Sequence, residues 1–192
     1  GTGRVFSYDW TQLTDWIYLS HSGQMKGQFG YGITLFAEDE FYKSILFEDS
    51  YGLEISFEKS FSKSISFNIK PKFGTEIIRV DAPYQARNTG LGLGIELKPS
   101  DEFKLNFRMD QSKSIRFEND EVVYSDMIAR ARFEYQATTF LNFRLVAQYH
   151  RYYNTFDIQP LISYQPGPFS IFYFGTSLSL IHISEPTRPL YI

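Results

Sequence analysis

Five side chains in the C-terminal half have the types and spacing to act on a solute: Arg130, Arg132, Glu134, Arg144 and His150. In an extended chain residues i and i+2 share a face, so Arg130, Arg132 and Glu134 form one polar row. A hairpin turning near residues 138–140 brings Arg144 beside that row. The cluster supports two readings: guanidiniums that favour anionic solutes inside a pore, or ion pairs that simply pack a water-filled lumen. Packing is the preferred one. His150, on the charged side of its stretch with Arg144 and Gln148, could serve as the base of a membrane-embedded hydrolase. No serine partner is identifiable, and a hydrogen-bonded lumen histidine is preferred.

Other candidates carry less. His21, His150 and His182 have no carboxylate or second histidine at metal-ligand spacing, so no metal site is expected. Glu38, Asp39 and Glu40, and Glu118, Asp120 and Glu121, read as solvated loop charge, because nothing fixes a carboxylate separation. The run Gly90-Leu91-Gly92-Leu93-Gly94 has no following helix to hold a phosphate and continues as a strand. Its glycines leave room for long neighbouring side chains or let the sheet bend. With no cysteine, disulfide scaffolds, thiolate zinc sites and cysteine nucleophiles are excluded, although the compartment is not fixed. No cofactor and no enzymatic activity are expected.

Composition narrows the class further. The 192 residues carry 19 Lys+Arg against 22 Asp+Glu, a net charge of −3, which offers no electrostatic case for binding nucleic acid. With 43% hydrophobic residues the chain is too apolar for disorder, and 18% aromatics is a high share. No apolar run approaches the roughly 20 residues of a membrane-spanning helix, and residues 1–30 show no basic-then-apolar leader. The chain opens Gly1-Thr2-Gly3 without an initiator methionine and is expected to be an internal stretch of a longer polypeptide.

The elements that would position the candidate residues are strands. Phe29, Tyr31, Ile33 and Leu35 alternate with Gly30, Gly32 and Thr34, and Leu53, Ile55 and Phe57 with Glu54, Ser56 and Glu58. The period of two recurs at Ile65–Ile69, Leu91–Ile95, Phe103–Met109, Met127–Tyr135, Phe143–Tyr149, Phe156–Tyr164 and Phe169–Tyr173. Residues 4–20 are expected to add one strand through Phe6, Tyr8 and Trp10, for nine or ten in all.

Tight turns are predicted near Lys59–Lys63, Pro99–Glu102, Ala137–Leu141 and Gln165–Pro168, with longer polar links over 37–50, 74–89, 110–122 and 151–155. Short turns at one end and long loops at the other are the pattern of an outer-membrane barrel. Phe57, Phe61, Phe103, Tyr135, Phe140, Tyr164 and Phe169 flank the tight turns, which suits an aromatic girdle in the lipid headgroup zone. The alternative, rings capping a soluble core, is less favoured. A soluble sheet with one solvated face would show the same alternation. The aromatic excess, the loop asymmetry and the lack of a covering helix favour lipid.

The run Phe140-Leu141-Asn142-Phe143-Arg144-Leu145-Val146-Ala147-Gln148-Tyr149, with Leu161–Pro168 and Phe172-Tyr173-Phe174-Gly175, resembles the end of a family of uncharacterised Gram-negative outer-membrane barrels. Members typically carry an N-terminal carbohydrate-binding type 9-like module. The resemblance is clear over this C-terminal stretch and only of general style before it. It implies location and architecture and carries over no catalytic residue. Ser179–Pro189 instead resembles a translated sequencing-adapter tail, so 181–192 are expected to be non-native and His182 and Glu185 to have no role.

The expectation is therefore an all-β antiparallel up-and-down meander over 1–180, a partial transmembrane β-barrel of the bacterial outer membrane, acting as anchor or pore. Membrane lipid is its expected partner, with a carbohydrate or small solute as cargo. The C-terminal part of a plugged, energy-coupled nutrient receptor and a soluble lipid-binding β-protein are the alternatives.

Overall fold

Side-chain alternation is realised as strand along nearly the whole chain. The computed structural model describes residues 1–6 and 12–181, so the expected strand residues Tyr8 and Trp10, and the tail residue His182, lie outside the described residues. The strands are β1 (Thr2–Phe6), β2 (Gln12–Met25), β3 (Phe29–Tyr42), β4 (Ile45–Ser62), β5 (Ile65–Ile78) and β6 (Tyr84–Leu97). They continue as β7 (Phe103–Arg116), β8 (Val122–Gln136), β9 (Leu141–His150), β10 (Thr155–Gly167), β11 (Ser170–Gly175) and β12 (Leu178–Ile181). Each strand from β1 to β10 pairs antiparallel with the next, giving one open up-and-down sheet with no helix among the described residues.

Twelve strands stand where nine or ten were expected, and the surplus arises at the two ends of the chain. Residues 4–20 are divided between β1 and β2. At the other end β11 and β12 lie in line along one edge of β10, against Leu161–Gly167 and Thr155–Ile158.

The expected long links are a larger departure, since most of their residues are strand. β4 runs for 18 residues, and five other strands for 14. The link expected over 37–50 shrinks to the two-residue turn Lys43-Ser44, both residues in the left-handed region (φ 50 and 64). That is the mirror-image turn that matches strand twist. Neither residue is the Asn or Gly that announces it, so the sequence reads as loop. Lys43 Nζ donates to the Val80 carbonyl at 3.0 Å, tying this turn to the 79–83 connection. Among the described residues connections at both ends are short, and the expected asymmetry of loop length is not found. Chemistry distinguishes the ends instead. Beyond the tight-turn end's apolar stretch, the outward positions Thr75, Arg87, Lys113 and Ser125 are polar, so the strands run on past the apolar band.

Register fixes which side chains share a face. One row of register partners joins Ile65, Leu97, Leu105, Phe133, Leu145 and Pro160, all on the apolar face. The row begins at the first residue of β5 and ends in the middle of β10, so the strands are progressively staggered. Stagger of this kind accompanies strand tilt in barrels. On β8 the apolar band reaches from Met127 to Tyr135. Eight residue steps span roughly 26 Å along the strand, or about 20 Å at a tilt of ~40°.

Burial runs opposite to the usual order. The apolar face is open: Leu19 is 68% exposed, Phe61 67% and Phe73 48%. Every buried residue among those described lies on the polar face: Ser50, Gly52, Asn88, Gly94, Ser114 and Asp126, with the apolar Phe47, Ala86 and Val146. Side chains on that side reach across an intervening strand, as Ser114 of β7 does to Glu76 of β5. Small residues and crowding place the concave side there. At Gly52 the Phe36 ring occupies the space where a Cβ would stand.

Candidate functional site on the polar face

Near the tight turns, the polar face carries a network of basic and acidic side chains. Glu134 stands in register between Lys104 of β7 and Arg144 of β9. Its carboxylate is taken by Arg132 of its own strand, whose Nε donates at 2.9 Å. Glu96 of β6 holds Lys98 at 2.9 Å and Lys104 at 3.1 Å. These pairs are partly exposed and are each of modest energetic weight, about 0–1 kcal/mol.

The remaining arginines are not neutralised. Arg130 faces Arg108 of β7 directly in register, with Gln148 on its other side. Neither the Arg108 nor the Arg130 guanidinium makes a hydrogen bond or ion pair with a described residue. Arg144 has a buried Nε without a hydrogen-bond partner. Arg132 and Glu134 thus fit the packing reading, whereas Arg130 and Arg144 do not. Arg108 belongs to the cluster and was not grouped with it from sequence. Parity places it on the polar face, but only the register of β7 against β8 sets it opposite Arg130.

A concavity of about 560 Å³ opens over this region, lined by Asn68, Gly94, Asn106, Arg108, Arg130 and Arg132 among others. Asn68 leans over Gly94, so that a Cβ at 94 would run into its amide. The glycines Gly90, Gly92 and Gly94 lie on this concave face, opposite Lys72, Lys70 and Asn68. Their expected role of leaving room for long neighbours fits that placement.

His150 does not join the arginines. It lies six residues along β9 from Arg144, roughly 20 Å away at ~3.3 Å per residue. Its Nε2 is 2.6 Å from Asp126 Oδ2, and its ring stands edge-on to Tyr153, with centroids 4.6 Å apart. Asp126 is almost fully enclosed by donors. The backbone N–H groups of Met127 and Tyr152 donate to Oδ1 at 2.7 and 3.0 Å, and the Tyr124 hydroxyl to Oδ2 at 3.3 Å. Ser112 faces Asp126 from β7, on the side away from β9. The order across the sheet is serine, carboxylate, imidazole, and an imidazole bridging the other two is what nucleophile activation requires. Asp126, 24 residues from His150, gave no sign of this partnership in the sequence.

The seven flanking aromatics gather at one end. Phe61, Phe140 and Phe169 stand at or beside three tight turns and are largely exposed, Phe169 at 98%. Phe103 opens β7, in register with Tyr135 near the end of β8. Tyr164 and Phe57 lie within five residues of the ends of β10 and β4. Ring contacts extend the belt to Phe133, edge-on to Phe103 at 4.7 Å, and to Phe29, 6.0 Å from Phe57. Among the described residues no three His, Asp or Glu side chains are grouped to hold a metal ion.

Comparison with family models, with curated proteins and with solved structures finds no match to this chain.

Proposed function

We propose that the chain forms part of the wall of a transmembrane β-barrel in a bacterial outer membrane, serving as a membrane anchor or pore. The observation that carries this reading is the inverted burial: apolar side chains from Leu19 to Phe174 are exposed, while the enclosed residues are on the polar face. A soluble antiparallel sheet packs its apolar face on a second layer, and the described residues supply none. A contiguous apolar band of this extent exceeds the scattered exposed side chains of a soluble monomer.

Three further features agree with it. The register stagger from β5 to β10 is the geometry of tilted barrel strands. The seven aromatic residues that flank the tight turns lie at one margin of the band, where an amphipathic ring is favoured. The polar face holds the charges, so it would line water. In hydrocarbon an open strand edge leaves backbone groups unsatisfied, and β1 and β11 would therefore pair with further strands. Lipid is then the principal partner and a small solute the cargo. An association with carbohydrate rests on the resemblance of residues 140–175 alone.

Flotation tests the reading. The chain, diluted from urea onto phosphatidylcholine vesicles, is expected to rise with them and to aggregate when vesicles and detergent are both withheld. A monodisperse species in plain buffer would overturn it.

A further inference from the structure

We propose that Arg108 and Arg130, with the Asn68 amide beside them, form a binding site for a small oxyanion solute bearing carboxylate, sulfate or phosphate groups. The inference rests on the reading that the polar face is the water-filled side of the wall.

A guanidinium has five donors and no acceptor, so it is satisfied only by water or by an acceptor group. Two of them directly opposite on adjacent strands repel, at a cost to the sheet. Elsewhere on this face the acids relieve such charge: Glu96 is divided between Lys98 and Lys104, and Glu134 is taken by Arg132. The unpaired carboxylates nearby are Glu58, which lines the same concavity in register with Asn68, and Asp110, two residues along β7 and opposite Gly92 and Ile128. Neither comes within ion-pair distance of Arg108 or Arg130.

The surroundings are shaped for an acceptor. Arg108 pairs on its other side with Gly94, which adds no side chain, and Asn68 fills that place with a polar amide. The side-chain amides of Asn68 and Asn106 have no hydrogen-bond partner among the described residues, so their donors are free for a ligand. The opening of about 560 Å³ is within the ordinary range for small-molecule sites, roughly 300–1,000 Å³. An adjoining hollow of about 450 Å³ shares Asn68 and Arg108 and contributes Lys70, a third cation. Planar oxyanions suit the arginine fork, which can donate two parallel bonds to one carboxylate or phosphate.

Sodium sulfate is the probe. The whole chain, folded in vesicles and separately in detergent micelles, is titrated calorimetrically, with ionic strength held by potassium chloride. Saturable binding is expected, weakened about tenfold by Arg108→Gln or Arg130→Gln, the loss of one charge-assisted contact, and abolished in the double variant. Arg130→Lys keeps the charge and should retain part of the affinity. Arg79→Gln, whose guanidinium bonds Glu40 at the far end, should leave binding unchanged. No saturable binding by the wild type, or equal binding by a double variant whose circular dichroism matches it, overturns the site. Flotation without sulfate binding removes the site alone. Sulfate binding in micelles by a chain that does not float removes the membrane reading and leaves the site standing.

Discussion

The two ends of the polar face solve the problem of burying polarity in different ways. At the far end, Asp126 has four donors around it, and Ser114 accepts from Asn88 at 3.1 Å while donating to Glu76. At the tight-turn end, the Arg108 and Arg130 guanidiniums and the Arg144 Nε have no acceptor among the described residues, and the far end holds one such group, the Arg116 Nε. A saturated network is rigid and costly to break, because each member removed strands its partners. An unsaturated one has donors to spare. The far end therefore reads as architecture, and the tight-turn end as the place where a ligand completes the structure.

Substitutions can break that contrast. The largest effect is expected at Asp126→Ala, which strands His150, two backbone N–H groups and the Tyr124 hydroxyl, for a loss of about 3 kcal/mol. Urea titration of the vesicle-bound chain measures it, and a loss under about 1 kcal/mol would show that the carboxylate is not the far end's keystone.

Ser114→Ala should come next. It removes an acceptor from Asn88, which keeps Ser112 at 3.2 Å, and a donor from Glu76, for roughly 1–2 kcal/mol in the same titration. Equal stability with the wild type would mean that water replaces the hydroxyl and that the network is less closed than its geometry implies.

The smallest effect should have the opposite sign. Arg130→Gln relieves repulsion with Arg108 and is expected to stabilise the chain by about 0.2–1 kcal/mol at low ionic strength. The gain should shrink as added salt screens the pair. Destabilisation would sharpen the comparison against us, since it would mean that Arg130 has a partner in the folded chain.

Legibility in the sequence followed the range of the forces involved. The two faces were plain, because Phe29, Tyr31, Ile33 and Leu35 on one side and Gly30, Gly32 and Thr34 on the other alternate by local geometry alone. The aromatic clustering near tight turns was plain for the same reason. Strand length was not. Turn composition misled over 37–50, where Lys43 and Ser44 adopt left-handed conformations that their side chains do not advertise. The arginine cluster was half legible: Arg130, Arg132 and Glu134 share a face by parity and Arg144 stands beside Glu134 of that row, but nothing local places Arg108 opposite Arg130.

By itself, the sequence determined that this protein is a two-faced, all-β meander, because a period of two needs only each residue's neighbours to express it. Tertiary structure alone decided which charges meet. Register across strands depends on the turns and bulges that join them, such as the irregularity between Glu38 and Glu40 or between Ser114 and Ile115, and one residue of slip exchanges every partner. Through that register His150 finds Asp126 and Arg108 stands against Arg130, and no local pattern records either encounter.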